Sequence, residues 1–315
     1  MRVFIAGGSG VIGRPTVRLL VERGHEVYAL ACGLDRARCL DALGARPLMG
    51  DVLDRERVLQ WVRAIRPDAV VNAASSIPTG LRPRVTEWPP NDRVRREGTR
   101  HLTDAALAAG VGVFVHVSVA LVHGDRGDQT VTEQTPLAPL PHLRSAVDAE
   151  YLVRLAAFRG LRTVVLRPGR LYGPDAWHTL ELVRAVAAGR PVVIGSGDYF
   201  WSNVHAEDCA LALALAVERA PAGEVFLVAD DEPLRFREVV ALMAQGLGVP
   251  PPGGVPTLVA RLVLGRDAVR AFTMSQRLAN ARIKERLGWQ PAYPTVRQGF
   301  ATLPPPPPPE PAVRL

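Results

Sequence analysis

A chain of 315 residues with 48% hydrophobic content can bury a large core and hold one big α/β domain with a smaller lobe, which excludes a disordered protein. Its formal charge of +7 comes from arginines scattered through helical patterns rather than clustered with aromatics, so no nucleic-acid partner is expected; Lys284 is the only lysine among 38 basic residues. No window approaches the roughly 18 uninterrupted apolar residues of a membrane span, and the N-terminus enters a strand at once, leaving no room for a signal peptide, so a cytoplasmic protein is expected.

The first stretch, Arg2-Val3-Phe4-Ile5-Ala6-Gly7-Gly8-Ser9-Gly10-Val11-Ile12-Gly13, reads as a strand, a tight turn and a helix start. Gly7 lets the chain turn, Gly10 lets the backbone approach a pyrophosphate, and Gly13 lets the helix pack on the sheet. The helix, predicted over Val11 to Glu22 with Val11, Ile12, Val17, Leu19 and Leu20 inward, then turns its N-terminus toward an anion. An ordinary strand-to-helix turn is the alternative, but a buried strand before and an amphipathic helix after favour dinucleotide binding.

His25 to Ala31 is the second strand. Where NAD-preferring enzymes place an acid for the ribose 2′-hydroxyl, this chain has Ala31, Cys32 and Gly33, followed by Arg36 and Arg38. A guanidinium suits a 2′-phosphate, so NADPH (NADP+) is the expected cofactor; the alternative places both arginines on the exposed face of a helix over Asp35 to Leu43. Cys32, Cys39 and Cys209 show no paired spacing, so neither a disulfide framework nor a metal site is expected.

Arg46 begins a third strand that ends near Asp51 and Val52, ahead of a helix carrying Val58, Leu59, Trp61, Val62 and Ile65, which Asp54 should cap. Asp68 to Ala74 is the fourth strand, and small Ala73 and Ala74 permit close approach to it. Ser75 to Pro90 reads as a loop rimming the site, and Asp92 to Ala109 as a helix. Val113 to Ser118 and Leu161 to Leu166 are further strands, Glu224 to Val228 is the last, and Leu234 to Gly248 and Met274 to Leu287 are helices. Trp177, His178, Tyr199, Phe200 and Trp201 either line an aromatic pocket or close a small core. Pro304 to Pro309 is necessarily extended, making 304–315 a tail.

The Gly-x-x-Gly-x-x-Gly spacing, Arg167-Pro168-Gly169-Arg170-Leu171-Tyr172-Gly173-Pro174 and Leu287-Gly288-Trp289-Gln290-Pro291 resemble the extended and atypical branches of the short-chain dehydrogenase/reductase superfamily, over residues 1–303. The resemblance implies an α/β fold: a Rossmann-type doubly wound parallel sheet from 1–169 and 203–231, with a smaller substrate lobe from 170–202 and 232–303. It assigns the dinucleotide to Gly7, Ser9, Gly10, Val11, Ile12, Gly13, Arg36, Asp51, Val52, Ala73, Ala74, Pro168 and Gly169. Asp51 would accept from the adenine amine, and the backbone around Pro168 and Gly169 would meet the nicotinamide amide.

The same alignment shows the family's Ser-Tyr-Lys triad dismantled. Counting back from Gly124, the hydroxyl position falls on Val119, with Ser118 one residue earlier. Glu133-Gln134-Thr135-Pro136 matches the family's Glu-x-x-Pro and fixes the next helix, so the tyrosine position is His142 and the lysine position Ala146. The five tyrosines, Tyr28, Tyr151, Tyr172, Tyr199 and Tyr293, are followed four residues later by Cys32, Leu155, Ala176, Asn203 and Arg297, so Tyr-x-x-x-Lys occurs nowhere. The asparagine that supports the lysine in the family is Arg95 here.

His142 and His123 are candidate proton donors and Ser118 a candidate substrate anchor; water or a phenol on the substrate could replace them. The expected activity is NADPH-dependent reduction of a small-molecule ketone, bulky and aromatic, polyketide-derived and angucyclinone-like, in antibiotic biosynthesis. The alternative is a non-catalytic NADP-binding sensor or scaffold.

Overall fold

The computed structural model describes residues 1–78 and 87–305; 79–86 of the expected rim loop and the proline tail beyond 305 lie outside the described residues. Seven short apolar runs form one parallel sheet: β1 (Arg2–Ala6), β2 (Glu26–Ala31), β3 (Arg46–Met49), β4 (Ala69–Asn72), β5 (Val113–Val117), β6 (Thr163–Pro168) and β7 (Glu224–Val228). Their spatial order is β7-β6-β5-β4-β1-β2-β3, so the winding reverses between β1 and β4. In doubly wound sheets that reversal opens a crevice at the strands' C-terminal ends.

Alternation along each strand feeds two cores. On one face Val3, Ile5, Val113 and Val115 pack with Val17 and Leu20 of α1 (Gly13–Glu22) and Leu213 and Val217 of α8 (Ala206–Arg219). On the other, Phe4, Val70 and Phe114 meet Val58 and Val62 of α3 (Arg55–Ile65), Leu102 of α5 (Thr99–Ala109) and Val153 of α6 (Arg144–Phe158). Asp54 caps α3, accepting from Arg57 N at 3.0 Å.

A third cluster lies outside the sheet, joining α7 (Trp177–Ala187) and α9 (Phe236–Gly246). Tyr199 and Trp201 belong to it, with ring centroids 5.5 and 4.1 Å from Phe236, so these two close a small core rather than line a pocket.

Several expected elements change. The helix expected from Val11 starts at Gly13, because Val11 and Ile12 stay in the turn and line the crevice. The helix expected over Asp92 to Ala109 is compound: α4 (Pro89–Arg93), a π-helical turn over Val94–Gly98, then α5. That expected over Met274 to Leu287 shrinks to Ala281–Leu287, since Arg277–Leu278 pairs as a strand with Thr130–Val131. Gln276 explains the diversion: its buried side-chain amide donates to Ala120 O and Gly124 O at 3.1 and 2.8 Å, bonds that a helix there would forfeit. No helix of the described residues is long and apolar enough to cross a membrane.

Candidate active site

A cavity of about 540 Å³ runs along the C-terminal ends of the strands, a size that suits a small-molecule site. All thirteen residues that the sequence proposed for the dinucleotide line it: Gly7, Ser9, Gly10, Val11, Ile12, Gly13, Arg36, Asp51, Val52, Ala73, Ala74, Pro168 and Gly169. They converge from five strand ends, most in the turns that follow a strand, with Pro168 closing β6 and Arg36 in the helix Leu34–Ala42 after β2, as the parallel winding requires.

The turn at the switch point has the shape of an anion cradle. Gly7 has φ +86°, and a Cβ there would lie 2.4 Å from Ala73 C, so only glycine allows the two strand ends to touch. A Cβ on Gly13 would fall 2.0 Å from Gly7 O. At Gly10 the nearest atom to a Cβ is Gly7 O at 3.3 Å, so a side chain there would meet little protein and would occupy the cavity itself. Helix α1 has neither a side-chain cap nor an acidic residue in its first turn, which leaves its N-terminal N–H groups and dipole for an anion.

Arg36 lines the same cavity and donates to Cys32 Sγ at 2.9 Å; among the described residues it makes no ion pair. Arg38 does not line the cavity and pairs with Asp35 at 3.5 Å, on the exposed face. Asp51, the one carboxylate among the described lining residues, accepts from Leu53 N at 2.9 Å. These residues fit a nicotinamide dinucleotide, which when bound supplies a hydride; the glycine turn would hold its pyrophosphate.

The opposite end of the cavity is lined by Arg95, His116, Ser118, Val119, Ala146, Trp177 and His178. Val119 and Ala146 thus bring two apolar side chains to the emptied hydroxyl and lysine positions. Ser118 donates to Glu150 Oε1 at 2.5 Å. Glu150 is also held by Arg167, whose Nε and Nη2 donate to it at 2.9 and 2.6 Å, a buried fork-to-fork pair. With its hydrogen committed to a carboxylate, Ser118 offers the cavity lone pairs, so it can anchor a donor on a substrate but does not supply a proton.

Both candidate histidines require correction. His123 is fully buried and outside the cavity lining: its Nε2 accepts from Arg167 Nη1 at 3.1 Å and its Nδ1 donates to Thr135 O at 2.9 Å. Burial, reinforced by Arg167, lowers its pKa to about 4, so it is neutral with both nitrogens engaged. His142 lies outside the lining too, its ring 4.8 Å from that of Trp88, and burial together with Arg95 lowers its pKa.

Two lining residues, His116 and Arg95, escaped the sequence reading, whereas Trp177 and His178 line the cavity as one of its two alternatives expected. His116 is buried at the end of β5 with an unpartnered Nδ1, and burial lowers its pKa to about 4. His178 donates from Nε2 to Leu171 O at 2.6 Å. Arg95, read only as a departure from the family, reaches into the cavity from the π turn. The strand period of two, set against Phe114, was the available signal for His116; nothing local predicts a π turn.

A parallel sheet whose winding reversal, glycine turn and cavity coincide is the arrangement of an NAD(P)-dependent oxidoreductase of Rossmann type. The chain belongs to the NAD dependent epimerase/dehydratase family, whose model matches residues 3–229, within the extended short-chain dehydrogenase/reductase superfamily. It is 36% identical over 307 residues to a Streptomyces 3-diazoavenalumate denitrifying reductase, covering 95% of this chain and 99% of that one. A 4-hydroxy-2-methyl-3-oxo-4-farnesyl-3,4-dihydroquinoline-1-oxide ketoreductase from Stigmatella aurantiaca is 32% identical over 291 residues, covering 90% of this chain and 85% of that one. The solved structure of MoeE5 in complex with UDP-glucuronic acid and NAD superposes with a TM-score of 0.79 at 26% identity, covering 96% of this chain and 97% of that one. The chain is accordingly an enzyme, not a non-catalytic sensor or scaffold.

Proposed function

We propose that the chain is an NADPH-dependent ketoreductase of a bulky aromatic, polyketide-derived ketone in antibiotic biosynthesis, working without a proton donor from the protein. The observation that carries this reading is the cavity itself. One end presents the glycine turn and an unpaired Arg36, while the other presents Val119 and Ala146 where proton-handling side chains would stand. In combining an intact dinucleotide site with a dismantled triad, it is similar to the 7-ketoreductase of simocyclinone biosynthesis, which acts on an angucyclinone.

A positioned general acid contributes roughly 10²- to 10⁴-fold in rate, whereas holding donor and acceptor together contributes about 7 to 11 kcal/mol. A phenol adjacent to the ketone supplies the missing stabilisation through an internal hydrogen bond to the nascent alkoxide. The experiment compares ortho-hydroxyaryl ketones with their methyl ethers in the presence of NADPH, following loss of the cofactor's near-ultraviolet absorbance. The hydroxy ketones should be reduced and the ethers reduced about 10²-fold more slowly or not at all. No oxidation of bound NADPH across the panel would remove the ketoreductase reading.

One finding favours a second acceptor class. The Streptomyces relative is named for denitrifying a diazo compound, and an arenediazonium that takes up hydride forms a C–H bond and releases N₂ with no proton required. An acid-free acceptor end suits that balance equally. Gas release equal to NADPH consumed, with a model arenediazonium, distinguishes it from ketone reduction.

A further inference from the structure

Three arginines stand on or beside the π turn, and their surroundings differ. Arg93, at its edge, pairs with Glu97 at 3.1 Å, and Arg96 pairs with Asp148 at 2.7 Å; both are on the exposed surface. Arg95 faces the cavity, and among the described residues it has no carboxylate within ion-pair distance. Its one hydrogen-bond contact is Ser145 Oγ at 3.5 Å, too long to be strong. Burial lowers its pKa, and the nearest opposing charge, Asp92, lies one turn earlier without reaching it. Arginine stays charged in proteins, and Arg95 is half-buried, so its charge is partly withdrawn from water with no carboxylate in return.

Position adds the second half of the argument. Ser145 immediately precedes Ala146, so the guanidinium lies beside the place where the alanine leaves the acceptor end without an ammonium. The extra residue in a π turn shifts the facing of the side chains around it, and such turns recur at functional sites. Around Arg95 the described cavity wall carries neutral His116, Ser118 and the rings of Trp177 and His178, with no carboxylate to balance the charge.

We propose that Arg95 anchors the hydride acceptor, and that the acceptor is an aromatic molecule bearing an anionic oxygen, a carboxylate or a phenolate. This rests on the reading of the cavity as a hydride-transfer site and adds the acceptor's charge to it. The planar fork of the guanidinium gives the acceptor one orientation against the wall formed by Val119 and Ala146. A neutral molecule of the same shape leaves the guanidinium unpaired and binds more weakly.

Calorimetry on the full-length protein, with and without saturating NADP+, tests this using 2-naphthoate, its neutral analogue 2-naphthamide, and 4-nitrophenolate at mildly alkaline pH. Wild type should bind at least one of the two anions about tenfold or more tighter than the amide, and which anion wins identifies carboxylate or phenolate. Arg95→Gln should weaken that anion by about 10- to 100-fold and leave NADP+ and the amide within about twofold. Arg95→Lys should retain part of the preference, which guards against a misfolded glutamine variant. Equal wild-type affinity for anion and amide in both series, or a preference that survives in Arg95→Gln, would overturn the proposal. Failure of the protein to bind NADP+ would instead remove the hydride-transfer reading, and the anion preference would still be decided in the series without it.

Discussion

Arg36 is the residue on which we propose that cofactor preference turns. It lines the cavity with no carboxylate partner among the described residues, whereas Arg38, two residues on, is spent on Asp35. A hydrogen bond to a charged group contributes about 1.5 to 3 kcal/mol, or roughly 10- to 100-fold. Arg36→Ala should therefore lower NADPH affinity by that factor in calorimetry and change NADH affinity by less than about twofold. Equal losses for both cofactors would place Arg36 away from the 2′-phosphate. The sequence made this pair of arginines visible but left both alternatives open; the fold leaves both exposed and puts only Arg36 on the cavity wall. His123 was legible as a polar residue near the expected chemistry, yet its engagement by Arg167 and Thr135 depends on contacts 44 and 12 residues away, which no local pattern encodes.

Among the elements, the seven sheet strands were readable because each is a short, mainly apolar run, most of them closed by glycine, proline or an acid. The helices Thr257–Leu264 and Arg266–Phe272 were not assigned, and the π turn was read as plain helix. Tertiary contacts decide these, as Gln276 decides the strand over Arg277–Leu278. One inter-element tie yields a pH-dependent prediction. Glu218 on α8 accepts from Arg23 at 2.7 and 2.6 Å and lies 3.0 Å from the His25 ring, joining the end of α1 to the start of β2. Bonding to Arg23 holds its pKa at about 2, against an ordinary value of 4.5. Because the folded value is depressed, its stabilisation is present above pH 4.5 and is lost as pH falls through about 2. Glu218→Ala should lower Tm by several degrees at neutral pH, with the difference from wild type closing as the pH approaches that lower value; a difference independent of pH would contradict the assignment.

Over the whole molecule, the C-terminal segment ties the acceptor side to the sheet. Gln276 holds the turn that follows β5, Leu278 N donates to Ser202 Oγ at 2.8 Å, and Trp289 Nε1 donates to Asp208 O at 2.9 Å. The cavity is assembled from residues between Ala6 and His178, its glycine end from one local stretch and its arginine end from distant ones, which is why the first was legible as a motif and the second was not. We propose that this assembly delivers hydride with no acid from the protein. The most direct measurement is mass-spectrometric tracing of deuterium from 4-deuterated NADPH into an ortho-hydroxyaryl alcohol by the His123→Phe/His142→Phe double variant. The account predicts one deuterium on the carbinol carbon, formed by wild type and variant at rates within about tenfold of each other, well inside the factor a positioned acid contributes. Loss of labelled product in a variant that still folds and binds NADPH as wild type does would contradict it.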